Sequence, residues 1–199
     1  MMRKICLVIF LVGGLLLVGC NDAESPATEE YNEFNESIHP TPSRPSRTLW
    51  EIANEAEIIA NLTVTDLVEV LEIGDEHTTF KNSIFKATVN HYLYNGLGYG
   101  QEIEVLQAGG PTGKFADDPL LEIGETYILF LDEREDAEIG SRLVMTGGPF
   151  GRYNKIGDAY SRQLNPPNSS IASSVTEEEL IEILNRHNKE LNIDLSVID

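Results

Sequence analysis

Between residues 82 and 132 the chain alternates apolar and polar side chains in successive runs, and that pattern commits it to a sheet. Over 83–93, Phe85, Ala87, Val89, His91 and Leu93 fall on one face and Lys86, Thr88 and Asn90 on the other. This is the period of two of a half-buried strand. Ile103 and Val105 repeat it over 101–107. The run 126–132, centred on Tyr127-Ile128-Leu129-Phe130-Leu131, is apolar on both faces and predicts a central strand covered from both sides. Asn95-Gly96, Gly98 and Gly100 permit the positive φ of a tight connection, so the first two runs are expected to pair antiparallel.

Residues on either side extend this sheet. Ala60, Leu62 and Val64 alternate in a long first strand over 58–73, and the phase blurs at Asp66-Leu67-Val68, as a β-bulge would make it. Before it, Thr48 and Glu51 have the spacing of a capping box. Leu49, Ile52, Ala53 and Ala56 then form one helical stripe with Trp50 beside it, ending near Glu57. A fifth strand is expected over 142–146, and a closing hairpin over 152–156 and 159–160 through Gly157-Asp158. Thr176 and Glu179 cap a C-terminal helix whose buried face is Leu180, Ile183, Leu184, His187 and Leu191, and 193–198 read as a short edge segment. The fold class is mainly β: five or six strands in a small barrel, with one flanking helix before it and one after. Closure of the sheet removes exposed strand edges.

The charge balance narrows the partners. Thirty-three acidic residues face 14 basic ones, a formal net charge of -19. Such a surface repels nucleic acid and favours cationic partners or bound cations. Cys6 and Cys20 are the two cysteines, both near the start, so residues 48–199 have no disulfide and no thiolate site. Arg3-Lys4 followed by the apolar run 5–18 reads as a secretory leader, too short for a membrane span of about 20 residues. The run ends in Leu17-Val18-Gly19-Cys20, which resembles the bacterial lipobox. That resemblance implies cleavage before Cys20 and transfer of a diacylglycerol to its thiol. The expected organisation is a signal peptide over 1–19, a lipidated Cys20 with a disordered tether over 20–47, and one domain over 48–199. The tether is rich in Glu, Asn, Ser and Pro, with Tyr31, Phe34 and Ile38 as its apolar points. The expected location is the extracytoplasmic face of a bacterial cell membrane, held by lipid.

Two loops echo one another. Gly109-Gly110-Pro111-Thr112-Gly113-Lys114-Phe115 and Gly147-Gly148-Pro149-Phe150-Gly151-Arg152-Tyr153 share Gly-Gly-Pro-x-Gly, then a basic residue, then an aromatic one. The glycines and prolines shape tight turns. Lys114, Phe115, Phe150, Arg152 and Tyr153 are the candidate binding surface. No Gly-Lys-Ser/Thr is present, so neither loop is a phosphate loop. Asp117 and Asp118 are weak candidates for a hard cation, but further ligands at a recognisable spacing are lacking, which favours a turn cap. His39, His77, His91 and His187 show no metal-ligand spacing, and no serine sits in a Gly-x-Ser-x-Gly elbow. His91 is expected as a satisfied imidazole on the apolar face of its strand. No catalytic residue and no cofactor are assigned.

The order helix, long strand, hairpin, loop, strand, hairpin is similar to an oligonucleotide/oligosaccharide-binding (OB) barrel. More narrowly, it resembles the netrin-like or metalloproteinase-inhibitor version of that barrel. The resemblance is carried by residues 56–62, 83–93, 101–109 and 124–131, and spans about 49–160. It implies an OB-like barrel. The inhibitors of that family reach a catalytic metal through a free N-terminal cysteine and are held by disulfides. This chain has neither, and it lacks the basic groove of a nucleic-acid binder. The function expected is therefore a membrane-anchored, non-catalytic accessory module that binds an envelope protein or a small ligand. Its alternatives are an envelope hydrolase with carboxylates around Asp117, Asp118 and Asp158, and a cation-binding acidic lipoprotein.

Overall fold

The computed structural model describes residues 47–74, 79–113, 115–137, 139–164 and 172–191, the side chains of 187–191 excepted. The leader, Cys20, the tether, His39, His77, Lys114 and the segment 193–198 lie outside the described residues, as do the side chains of His187 and Leu191. Helix α1 (Leu49–Glu55) precedes strands β1 (Ile58–Gly74), β2 (Thr79–Asn95), β3 (Glu102–Ala108), β4 (Thr126–Asp136) and β5 (Gly140–Met145). A single 3-10 turn (Gly148–Gly151) leads into β6 (Arg152–Ile156), β7 (Ala159–Arg162), β8 (Ser174–Val175) and helix α2 (Glu177–Leu191). Both capping boxes form. Glu51 N–H donates to Thr48 Oγ1 at 3.3 Å and Thr48 N–H to Glu51 Oε2 at 2.8 Å. The Thr176–Glu179 pair repeats this at 3.2 and 2.8 Å.

Five strands close into a ring in the order β1-β2-β3-β5-β4, with β4 returning to β1. Strands β6, β7 and β8 continue outward from β4, so the described residues hold eight strands where five or six were expected. The expected closing hairpin forms as β6 and β7 outside the five-stranded ring, and the two-residue edge β8 before α2 is the strand not expected. All pairings are antiparallel except β3–β5, which is parallel through Val105–Leu143 and Leu106–Val144.

β4 is the central strand that its sequence implies. Its Tyr127, Leu129 and Leu131 face the ring interior with Ala60, Leu62, Phe85, Val105 and Leu143. Its Ile128 and Phe130 face a second core with Leu49 and Ile52 of α1, Tyr153, Tyr160, and Leu180 and Leu184 of α2. Each face removes a run of large side chains from water, at roughly 25 cal/mol per Å² of apolar surface.

The bulges decide which side chain goes where. β1 breaks register with β2 between Val64 and Asp66 and again between Leu67 and Glu69, at the stretch where its alternation blurs. Two further breaks fall opposite Asn90 and Leu93 of β2, where Asn61 pairs with His91 but Leu62 with Val89. An extra residue reverses the alternation. Tyr92 thus replaces His91 on the interior face with Val89, and His91 and Leu93 turn to the other side. His91 there contacts Glu177 at the start of α2. Asn61 Nδ2 donates to Tyr160 OH at 2.7 Å and to Glu177 Oε2 at 2.8 Å. Burial and Glu177 together push the Tyr160 phenol above its usual range. The expected apolar-face position of His91 is corrected by this bulge: the imidazole anchors the helix.

Candidate functional site

The parallel pair positions the two echoing loops. β3 and β5 run the same way, so the loops that follow them leave from the same end of the ring. Their pairing offset is that of Val105 to Leu143, 38 residues. Gly109 and Gly147 have the same separation. The repeat in the sequence is thus the register of the sheet continued into the loops. Where the strands give way to those loops lies a cleft of about 360 Å³. Leu106, Ala108, Val144 and Met145 give it apolar lining, and Gly147 and Gly148 add bare backbone. Asn82, Gln107 and Asp118 supply polar groups, and Arg47 and Arg134 supply cations.

Glycine is required along this lining. Gly147 and Gly148 have φ of 70° and 61°, in the region that side chains avoid. The first loop closes on itself instead: Gly110 and Gly113 exchange two backbone hydrogen bonds of 3.0 Å. Ser83 Oγ donates to Gly109 O at 2.9 Å, tying that loop to β2.

Behind the cleft lies a buried polar network. Gln107 Nε2 donates to Asp118 Oδ1 and to Pro119 O, both at 3.0 Å, and Gln107 Oε1 accepts from Leu121 N–H at 2.9 Å. Arg152 Nη1 donates to Pro119 O at 2.7 Å and stands 3.9 Å from Asp118 Oδ1. Asp118 and Arg152 are each 2% exposed. Burial pulls the Arg152 guanidinium below its ordinary value, and Asp118 opposes that pull. The guanidinium also lies 5.9 Å from the Tyr127 ring centroid.

The candidate residues are divided by this arrangement. Phe150, Arg152 and Tyr153 are 9%, 2% and 0% exposed, so they do not present a contact surface. Tyr153 packs on Phe130, and burial raises its phenol pKa. Arg162, also buried, lies over the Tyr153 ring and donates from Nε to Phe150 O at 3.1 Å. Phe115 is half-buried in the first loop. Asp118 is engaged by Gln107 and Arg152, Asp117 is half-buried beside it, and Asp158 sits in the exposed β6–β7 turn, so the three do not meet. Among the described residues, no three His, Cys, Asp or Glu side chains are grouped to hold a metal ion. The cleft gathers cations, amides and apolar surface, which suits holding a ligand. Its lining residues Arg47, Asn82, Gln107, Arg134 and Met145 carry no local motif; Gly147 and Gly148 are the lining residues that belong to the 38-residue echo. No protein-family model, no curated protein and no solved structure matches the chain.

Proposed function

We propose that this chain is a lipid-anchored lipoprotein on the extracytoplasmic face of a bacterial cell membrane. It acts as a non-catalytic accessory module that binds an envelope protein or a small ligand in the cleft beside the two Gly-Gly-Pro loops. The observation that carries this reading is the cleft where β3 and β5 end side by side, lined by Leu106, Gln107 and Ala108 ahead of the first loop and by Gly147 and Gly148 of the second. The five-stranded ring with a long, bulged first strand supports an OB-like barrel, a fold that uses its strand faces and loops to hold ligands. Fold alone does not specify the ligand. The lipobox-like Leu17-Val18-Gly19-Cys20 supports the anchor.

The binding site is tested by placing a photo-crosslinking amino acid at Ala108, in the cleft, and at Lys155, exposed on β6. In intact cells Ala108 is expected to give a discrete adduct that Lys155 does not, and Arg134→Glu to abolish it. Identical adducts at both positions, or none at Ala108, would overturn the assignment. The anchor has its own test. Cys20→Ser is expected to lose incorporation of a labelled fatty acid and to leave the membrane fraction, since each buried CH₂ stabilises attachment by about 0.8 kcal/mol. Continued acyl labelling of the serine variant would show that Cys20 is not the anchor.

A further inference from the structure

Among the described residues, one stretch of β1 has no strand paired along its outer edge. Over its first six residues it is flanked by β2 on one side and β4 on the other, from Ile58–Leu131 to Thr63–Thr126. One last exchange follows: Val64 N–H donates to Glu125 O at 3.0 Å and Gly124 N–H to Val64 O at 2.8 Å. Gly124, with φ of 91°, then turns the chain away. From Asp66 to Gly74, β1 pairs with β2 alone among the described residues. At about 3.3 Å per residue this leaves roughly 30 Å of strand edge open, in line with β4.

The surroundings of the edge state what fits it. Asp66, Glu69 and Glu72 on β1 are exposed, as are Glu122 and Glu125 at the turn where β4 begins. Lys81 meets Glu72 at 3.1 Å; Asp66, Glu69 and Glu125 form no ion pair among the described residues, and Glu122 acts on Arg152. Val68, 48% exposed, and Ile123, 59% exposed, are apolar points beside them. Charges on an edge are a defence against pairing with a like chain. Here they are of one sign, so a second copy of this protein would set carboxylate against carboxylate. A basic strand would instead gain opposite-charge cross-strand pairs.

We propose that the 66–74 edge of β1 accepts an extended segment of another protein by strand addition, and that this segment alternates Lys or Arg with apolar or β-branched residues. The edge is on the far side of β2 from the β3–β5 cleft, so it is a second interaction surface. The test is amide hydrogen exchange on the full chain in detergent micelles, with a nonapeptide alternating lysine and valine as the probe. Exchange over 66–72 is expected to slow about ten-fold when the peptide is at about ten times its Kd. The matching glutamate peptide and a lysine peptide with its residues in blocks are expected to leave that edge unprotected. The variant Asp66→Lys, Glu69→Lys, Glu72→Lys, checked for unchanged circular dichroism, is expected to switch preference to the glutamate peptide. No protection at 66–72 would overturn the proposal, as would equal protection by the blocked peptide. Protection that rises with protein concentration in the absence of peptide would overturn it in favour of self-pairing.

Discussion

Asp118→Ala is expected to lower the unfolding free energy by about 3–5 kcal/mol, because it strands a buried guanidinium. Arg152 is 2% exposed, and its desolvation is already strong enough to pull its pKa down. Asp118 is its nearest carboxylate at 3.9 Å, with Glu122 a weaker influence; Pro119 O and the Tyr127 ring face are its other contacts. Removing the carboxylate also leaves Gln107 Nε2 with Pro119 O as its remaining acceptor. Arg152→Met removes the charge while keeping most of the volume. It should still be destabilising in the presence of Asp118, which then loses its buried cationic neighbour while keeping the Gln107 hydrogen bond. The decisive comparison is the double variant. A buried ion pair replaced on both sides by apolar groups often costs little, so its loss should fall short of the two single losses added together by at least about 1 kcal/mol. Urea denaturation monitored at Trp50 measures all three. Additive losses would mean that the two charges do not sense one another across 3.9 Å, and that Pro119 O alone secures the arginine.

That network shows where sequence reasoning reaches its limit. The strands themselves were legible, because burial acts on each residue locally: Tyr127, Leu129 and Leu131 alternate with Ile128 and Phe130, and both sets have a core to enter. The bulge near Asp66–Val68 was legible for the same reason, since a slip in phase is visible in one strand. The bulge opposite Asn90 was not. The run Phe85, Ala87, Val89, His91, Leu93 keeps a perfect period of two, and the reversal comes from the pairing with β1. Arg152, a surface candidate from the loop echo, is instead 2% exposed, which is uncommon for arginine. Arginine is buried when a partner is buried with it, and here Asp118 and Pro119 come from a loop 33 or more residues earlier, held there by Gln107 of β3. The Gly-Gly-Pro echo was visible, but its meaning needed the parallel β3–β5 register. With that register known, the candidate surface moves from the aromatic side chains of the second loop to the cleft beside its glycines.

Gly151→Ala should be the other severe substitution, for a reason that glycine's freedom in φ does not supply. Its backbone is in an ordinary region, but a Cβ there would lie 2.3 Å from Thr146 O, with Phe130 O at 3.4 Å. Both obstacles are main-chain atoms. They are fixed to one another, since Thr146 N–H donates to Phe130 O at 2.8 Å where β5 ends against β4. No side chain can swing aside, so the turn between Thr146 and Gly151 must open or β4 must shift. Overpacking of this kind costs about 3 kcal/mol or more when relief has to come from the backbone. Gly100→Ala is the matched control: no atom lies within 4 Å of its added Cβ. It should change stability by less than about 1 kcal/mol, through the entropy of the unfolded chain. In urea denaturation the Gly151 variant should lose its midpoint with little change in slope, whereas the Gly100 variant should overlay the parent. The same turn carries Gly147 and Gly148 into the cleft. Opening it should therefore also weaken the Ala108 photo-adduct at temperatures where the variant remains folded. A Gly151→Ala protein as stable as its parent, with the adduct intact, would mean that the turn yields easily and that the close approach to Thr146 does not set the shape of the cleft.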